Sequence, residues 1–301
     1  MAGCVVGVLL SIGAACGLES GGAVPLPVGP GSIRPAPELD GVRITVGSKD
    51  FTEQTILGYL IEFALAAAGA QVRDLTTIVG SNSLRDAQLH GQVDVAYDYT
   101  GTGWINYLGN QNPVPGSDAQ FEAVRAADLR SHGMVWAAMA PMNNTYALAT
   151  AASTARATGV ALLSDYARLV DTRPEQAAIC VGTEFNVRQD GLPGMARKYG
   201  IDTVKVRKQL LQDALVFQAT ADAGRCRFGS VAATDGRIPA LGLRLLTDDL
   251  GFFPKYNAAL VMRADFARAH PKVIEIMTPI SRLLTNETIT ELNRRVDIDG
   301  R

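Results

Sequence analysis

Histidine is scarce in this chain, with 3 among 301 residues, and His90, His132 and His270 stand apart in polar or helix-ending stretches where surface or capping roles are expected. Nothing spaced like a metal-ligand set surrounds them. The sequence also lacks GxxxxGK[ST], GxSxG and HExxH, and GTGWIN does not complete a dinucleotide fingerprint. Without a nucleophile–base pair, metal set or cofactor motif, neither catalysis nor a bound cofactor is expected. Charge of one sign is missing too: 28 Lys and Arg against 30 Asp and Glu leave a net charge of −2. That balance argues against nucleic acid and against a polybasic membrane patch. No apolar run reaches the ~18 residues of a membrane-spanning helix.

What the chain does contain begins at its amino end. Residues 4–15, CVVGVLLSIGAA, have the length of a signal-peptide core, and Gly13, Ala14 and Ala15 precede Cys16. Small residues before a cysteine resemble the lipobox of bacterial lipoproteins, which implies lipidation at Cys16 and tethering to the cell membrane on its extracytoplasmic face. Two features depart from that pattern: no Lys or Arg precedes the run, and Gly13 stands where a larger aliphatic residue is usual. The alternative is a buried amino-terminal helix. Residues 17–40 hold five Gly and five Pro among 24 positions, a composition expected to remain an extended, flexible leash of up to ~75 Å. The segments therefore read as signal and lipobox over 1–16 and linker over 17–41.

From residue 43 onward strands and helices alternate. RITVGSK, QVRDLTTIV and VDVAYDY read as strands. FTEQTILGYLIEFALAAAGA reads as a helix with Asp50 or Thr52 placed to cap it, and SLRDAQLHG as a shorter one. This order predicts parallel βαβ units, with the loops GSKDF, GSNSL and YTGTGW at one mouth beyond the strand ends. A second α/β region runs through ALLSDYARLVD, AAICVGTEF, TVKVRK, ALVFQATADAG and FGSVAATDG, and the tail is helical. With 47% apolar residues, two similar halves suggest a hinged two-lobe clamp. Cys180 and Cys226, each beside a strand-like run, read either as a disulfide, which export favours, or as two buried thiols. Asn143-Asn144-Thr145 and Asn286-Glu287-Thr288 fit a glycosylation pattern that is frequent by chance.

Three tyrosines in loops, Tyr99, Tyr146 and Tyr256, lie beside small, polar and basic residues. With Lys49, Thr102 and Arg188 they provide what a zwitterion needs. A quaternary ammonium donates no hydrogen bond and is held by aromatic faces, worth ~2 kcal/mol when desolvated. A carboxylate takes charge-assisted bonds from Lys, Arg and hydroxyls.

GSKDFTEQTILGYL, VDVAYDYTGTGW, NNTYAL, EFNVRQDGLPGMARKYG, ATDGRI and LTDDLGFFPKYNAAL, in this order, resemble the osmoprotectant-binding proteins of ABC importers. These are substrate-binding lipoproteins for glycine betaine, choline, carnitine and proline betaine, and the resemblance covers about residues 42–301. It implies an α/β, type II periplasmic-binding-protein fold: two α/β lobes joined by two crossover segments, with the ligand cleft between them. The lobes would be 42–145 with the return 254–301, and 146–253. The implied partners are a small quaternary ammonium ligand and the ABC permease and ATPase subunits. By motif, Tyr99, Tyr146 and Tyr256 match cage positions, and Lys49, Thr102 and Arg188 match carboxylate-binding ones. Asn82, in the GSNS loop, lies near a position that tunes ligand range in the family, and Asn144 lies where the chain would cross to the second lobe.

One position departs from the family pattern. Ala232 stands in VAATDGRI where the family usually has a Tyr, so one wall of the cage is missing; Phe228, Tyr97 and Trp104 are the nearest aromatics by motif. The expectation is that Tyr99, Tyr146 and Tyr256 face one another, with a gap at Ala232. The alternative is a same-fold receptor retuned for a bulkier or non-quaternary ligand; a catalytic, signalling or structural cell-envelope protein is a more distant reading.

Overall fold

The computed structural model describes residues 28–29 and 31–301, so the export segment, Cys16 and the first part of the linker lie outside the described residues. Among the described residues a 3-10 turn (Pro37–Leu39) precedes β1 (Arg43–Lys49), α1 (Thr52–Ala67), β2 (Gln71–Ile78), α2 (Ser81–Leu89) and β3 (Val95–Tyr99). A π-helical turn (Thr102–Tyr107), α3 (Ser117–His132) and β4 (Met134–Ala137) follow. A second unit contains β5 (Tyr146–Ala151), α4 (Ala152–Thr158), α5 (Leu163–Thr172), β6 (Ile179–Val181), α6 (Thr183–Val187) and α7 (Leu192–Tyr199). It continues with β7 (Lys208–Leu210), α8 (Asp213–Ala221), β8 (Phe228–Ala232), α9 (Arg237–Ala240) and β9 (Leu243–Leu245). The chain then returns through β10 (Ala258–Arg263), α10 (Ala264–Ala269), α11 (Lys272–Leu283) and α12 (Asn286–Asp297).

Two five-stranded sheets result, in the orders β2-β1-β3-β10-β4 and β7-β6-β8-β5-β9, each at the centre of one α/β lobe. β1 runs parallel to β2 and β3, and β6 runs parallel to β7 and β8. Neither sheet is wholly parallel, however: β10 is antiparallel to β3 and β4, and β5 to β8 and β9. The cause is the crossover. Parallel strands such as β3 end at the mouth, whereas β5 and β10 enter from the other lobe, begin at the mouth and run away from it. Tyr99, the last residue of β3, accordingly pairs with Ala258, the first of β10.

The helices dock by their apolar stripes. On α1, Leu57, Ile61, Ala64 and Leu65 recur at three- and four-residue spacing and are buried in the same core cluster as Ile44, Val46 and Leu260. Burying each Leu or Ile side chain contributes about 1.5–3 kcal/mol. Neither Asp50 nor Thr52 caps α1: its N-cap is Phe51. Asp50 instead accepts a bond from the Gly80 N–H at 3.4 Å, and the Thr52 hydroxyl donates to Asp297 at 2.6 Å. The globular body also starts earlier than residue 42. Ala36 and Leu39 are buried in the core of the first lobe, and the Ala36 N–H donates to the Ala68 carbonyl at 2.9 Å. Apolar side chains overrode the Pro-rich composition there.

The second lobe is pinned internally. Cys180, on β6, is disulfide-bonded to Cys226, just before the neighbouring β8, with Cα atoms 5.4 Å apart. The edge strand β7 lies at Lys208–Leu210, at the end of and beyond the TVKVRK stretch. His132 has a larger part than a surface group: its ring bonds to Asp128, a buried carboxylate that also accepts from the Trp136 indole N–H and is paired to Arg85. None of the described helices is long and apolar enough to cross a membrane.

Candidate functional site

The two crossover segments run side by side. Asn143 forms an isolated antiparallel bridge with Asn257, and the Asn143 side chain accepts from the Tyr256 N–H at 2.7 Å. The Thr145 hydroxyl donates to the Pro254 carbonyl at 3.2 Å. Paired in this way, the segments form a two-stranded hinge that carries Asn144 and Tyr146 on one strand and Tyr256 on the other. Gly101 is needed beside it, because a Cβ there would stand 2.7 Å from the Tyr256 ring. At Gly103 a Cβ would stand 2.6 Å from the Trp136 ring. Gly101 thus lets the first lobe approach the hinge closely, and Gly103 lets the π-helical turn pack against the first lobe's own core.

A buried polar hub sits at this hinge. Glu53, in the first turn of α1, accepts at one oxygen from the Tyr99 hydroxyl (2.6 Å) and the Asn144 amide (2.7 Å). Its other oxygen accepts from the Thr234 hydroxyl (2.5 Å) and the Asn293 amide (3.2 Å). The Asn144 side-chain oxygen Oδ1 accepts in turn from the Thr234 N–H at 3.2 Å. One carboxyl therefore joins the first lobe, a crossover segment, the second lobe and the last helix. Burial pushes its pKa up, against the opposing pull of the four donors. The Tyr99 hydroxyl is raised as well, by burial and by the Glu53 charge.

A second cluster at the mouth is rich in charge. Lys49, at the end of β1, donates to Asp98 at 2.8 Å, and the Tyr107 hydroxyl donates to the other oxygen of Asp98 at 2.7 Å. From the second lobe, Arg188 donates to both oxygens of Asp190, at 2.8 and 2.6 Å. It also reaches Glu184 (3.0 Å) on its own side, and Ser81 (3.2 Å) and Thr102 (3.3 Å) on the first lobe. Glu184 spans the lobes too, accepting from the Ser81 N–H at 2.7 Å and the Ser81 hydroxyl at 3.0 Å. Burial works against the Arg188 charge, yet Tyr146, Asp190 and Tyr256 around it keep its pKa well above the ordinary value. Burial also works against the Glu184 carboxylate, but the Lys49 and Arg188 charges and the Ser81 donors hold its pKa below the usual range. The Tyr256 hydroxyl donates to Asp190 at 2.7 Å, and burial and that neighbouring charge push its pKa well up.

Aromatic rings fill the space between. Tyr146 packs edge-on against Tyr256 at 5.4 Å and against Phe185 at 5.3 Å, with Phe253 at 6.4 Å. Phe253 is set by Asp248, which accepts from the Phe252 and Phe253 N–H groups at 3.0 and 2.8 Å. Two ring faces receive the protein's own cations: Lys49 lies over Tyr99 at 5.0 Å, and Arg188 over Tyr146 at 5.8 Å. Ala232 is the cross-strand partner of Tyr146, so a larger residue there would rise on the same face. A cleft of about 460 Å³ opens beside the hinge, with Val114, Tyr146, Ala233, Leu246, Phe253 and Lys255 in its wall.

The substrate-binding domain family of ABC-type glycine betaine transport systems matches residues 42–301. The chain belongs to that family. It is 34% identical over 261 residues to a glycine-betaine-binding protein of Pseudomonas aeruginosa, covering 85% of this chain and 83% of that one. It is 26% identical over 267 residues to the ergothioneine transport permease/ergothioneine binding protein EgtU of Helicobacter pylori, covering 88% of this chain and 46% of that protein. Among solved structures it resembles apo YehZ of Escherichia coli, with a TM-score of 0.62, 26% identity, and coverage of 86% of this chain and 94% of that one. The family role is substrate binding for ABC transport rather than catalysis.

Within this family fold, the residues singled out in the sequence fall into three places. Lys49, Thr102, Arg188, Tyr146 and Tyr256 converge at the mouth and hinge. Tyr99 does not join the Tyr146–Tyr256 pair; it stacks on Phe51 at 6.3 Å with its hydroxyl in the Glu53 hub, where Asn144 also lies. Asn82 is exposed next to Ser81 and accepts from Asn106 at 2.8 Å. None of the three aromatics named as substitutes for the missing wall packs against Tyr146. Phe228 packs on Tyr166 in the second core, the Tyr97 hydroxyl bonds to Ser281, and Trp104 donates to the Asn112 carbonyl. Phe185 and Phe253 flank Tyr146 instead. Sequence reasoning passed over Glu53, Ser81, Asp98, Glu184, Asp190 and Thr234. The available signal was position: Glu184 and Asp190 lie four residues before and two after Arg188, and a buried guanidinium requires carboxylates.

Proposed function

We propose that the chain captures a small quaternary ammonium solute, such as glycine betaine, choline, carnitine or proline betaine, between its lobes and delivers it to an ABC permease and its ATPase. Tyr146 and Tyr256 take the ammonium by their faces, and Arg188, Thr102 and Lys49 serve a solute carboxylate. The observation that carries this reading is the meeting of Tyr146, Tyr256 and Arg188 at the hinge, with Arg188 of the second lobe in hydrogen-bond contact with Thr102 of the first. A solute held by groups from both lobes would favour the closed arrangement through its differential contacts. Export and lipid anchoring at Cys16 complete the reading, and the mass of the mature amino terminus tests them. For the solute itself, a thermal-shift screen is decisive, because a ligand of the native state alone raises the midpoint by mass action. A rise of several degrees with at least one quaternary ammonium solute is expected; no shift with any of them refutes the proposal.

Ala232 favours a second reading, a receptor for a bulkier solute. It stands opposite Tyr146 on the strand pair, and Tyr146 and Phe253 wall the adjoining cleft of about 460 Å³. In the same screen, a larger shift with bulky analogues than with glycine betaine would favour this reading.

A further inference from the structure

The cations assigned to a solute carboxylate already have carboxylates of the protein against them. Lys49 is paired with Asp98, and Arg188 with Asp190 and Glu184, so three carboxylates face two cations. The three differ in freedom. The Asp98 and Asp190 side chains are 0% and 1% exposed, whereas that of Glu184 is 35% exposed, so only Glu184 can swing into solvent without crossing packed core. Glu184 also occupies a position suited to an external anion: it accepts from the first N–H and the hydroxyl of Ser81, where the nine-residue α2 begins. Helix amino termini favour negative charge, and charge-assisted bonds from Arg188 add to that.

We propose that Glu184 sets the charge class of the solute: its carboxylate holds the α2 amino terminus and Arg188 in competition with a solute carboxylate, so the site favours a quaternary ammonium cation over a zwitterion. The inference rests on the function proposed above. A cation without a carboxylate offsets the excess negative charge and leaves Glu184 in place. A betaine must expel Glu184 from Ser81 and Arg188 or bring a fourth carboxylate beside the other three. Two of its contacts are to Ser81 of the opposite lobe, so expelling it also removes bonds that hold the mouth closed.

The test is calorimetric titration of wild type, Glu184→Gln and Glu184→Ala with choline and with glycine betaine. Wild type should bind choline more tightly. Glu184→Gln should move the ratio of the two affinities roughly four- to ninefold toward betaine, betaine gaining and choline losing about two- to threefold each, because one competing charge-assisted bond and one negative charge are removed together. Glu184→Ala should move the ratio in the same direction. Wild-type preference for betaine, an unmoved ratio in both variants, or an equal loss for both solutes overturns the assignment of Glu184. Failure of wild type to bind either solute overturns the preference for choline, and only a failure to bind every quaternary ammonium solute overturns the proposed function with it.

Discussion

Around Glu53 a single carboxyl accepts from four neutral side chains, whereas around Arg188 two carboxylates, a serine and a threonine share one guanidinium. Both clusters join the lobes, but they are built for different tasks. The hub at the hinge draws on α1, the end of β3, a crossover segment, the loop after β8 and α12, and its donors are neutral groups buried around one carboxyl. The cluster at the mouth is made of charge pairs, and a charge pair can be exchanged for another of the same sign. The contrast teaches that polar contacts between lobes are not all closing contacts. The hinge hub holds the architecture in place, while under the proposed function the mouth holds groups that a charged solute would replace.

The largest expected effect would break that division at the hub. Glu53→Ala leaves the buried donors of Tyr99, Asn144 and Thr234 unpaired, while Asn293 keeps its bond to the Thr234 carbonyl at 2.9 Å, and the loss is expected to cost about 3–5 kcal/mol of stability by denaturant titration. A loss below about 1 kcal/mol would show that the hub is not structural. Glu62 sharpens the comparison from the same helix. It is fully buried on α1 with no donors such as Glu53 has, and burial together with the charge of Asp74 pushes its pKa from 4.5 up to about 8. The native state therefore holds this proton more tightly than the unfolded chain, so the stability it contributes is full below about pH 4.5 and is lost as pH rises toward 8. Glu62→Gln should flatten that slope and add about 1–3 kcal/mol at alkaline pH; an unchanged pH profile contradicts the assignment. The smallest effect belongs to the mouth. Ala232→Tyr should add one aromatic wall opposite Tyr146 and tighten a compact betaine by about 0.5–2 kcal/mol, read by calorimetry. Tight binding by wild type that the new ring leaves unchanged would show that the wall was not missing.

Much of this was legible in the sequence, and what was not has physical causes. RITVGSK is β1 residue for residue, and the helix after it, the helix at the GSNS loop and the strand ending in Tyr99 follow from periodicity. The direction of β5 and β10 was not legible, because an apolar strand pattern carries no sign for which way the chain enters a sheet. Leu39 was hidden in a Pro-rich stretch whose composition outweighed a single apolar anchor. At the site, Lys49, Thr102, Arg188, Tyr146 and Tyr256 could be named because they complement a zwitterion. Asp98, Glu184 and Asp190 could not be found that way, because they complement the protein's own cations. Tyr99 shows the limit of motif reading: its position is at the mouth, but its hydroxyl is spent on Glu53.

The most direct measurement is a crystal structure of the chain grown with choline or glycine betaine. The account predicts the ammonium within about 6 Å of the Tyr146 and Tyr256 ring centroids, contacts from both lobes, and the Glu53 hub unchanged. A solute bound in the outer cleft beside Val114 and Phe253, or touching one lobe only, would contradict it.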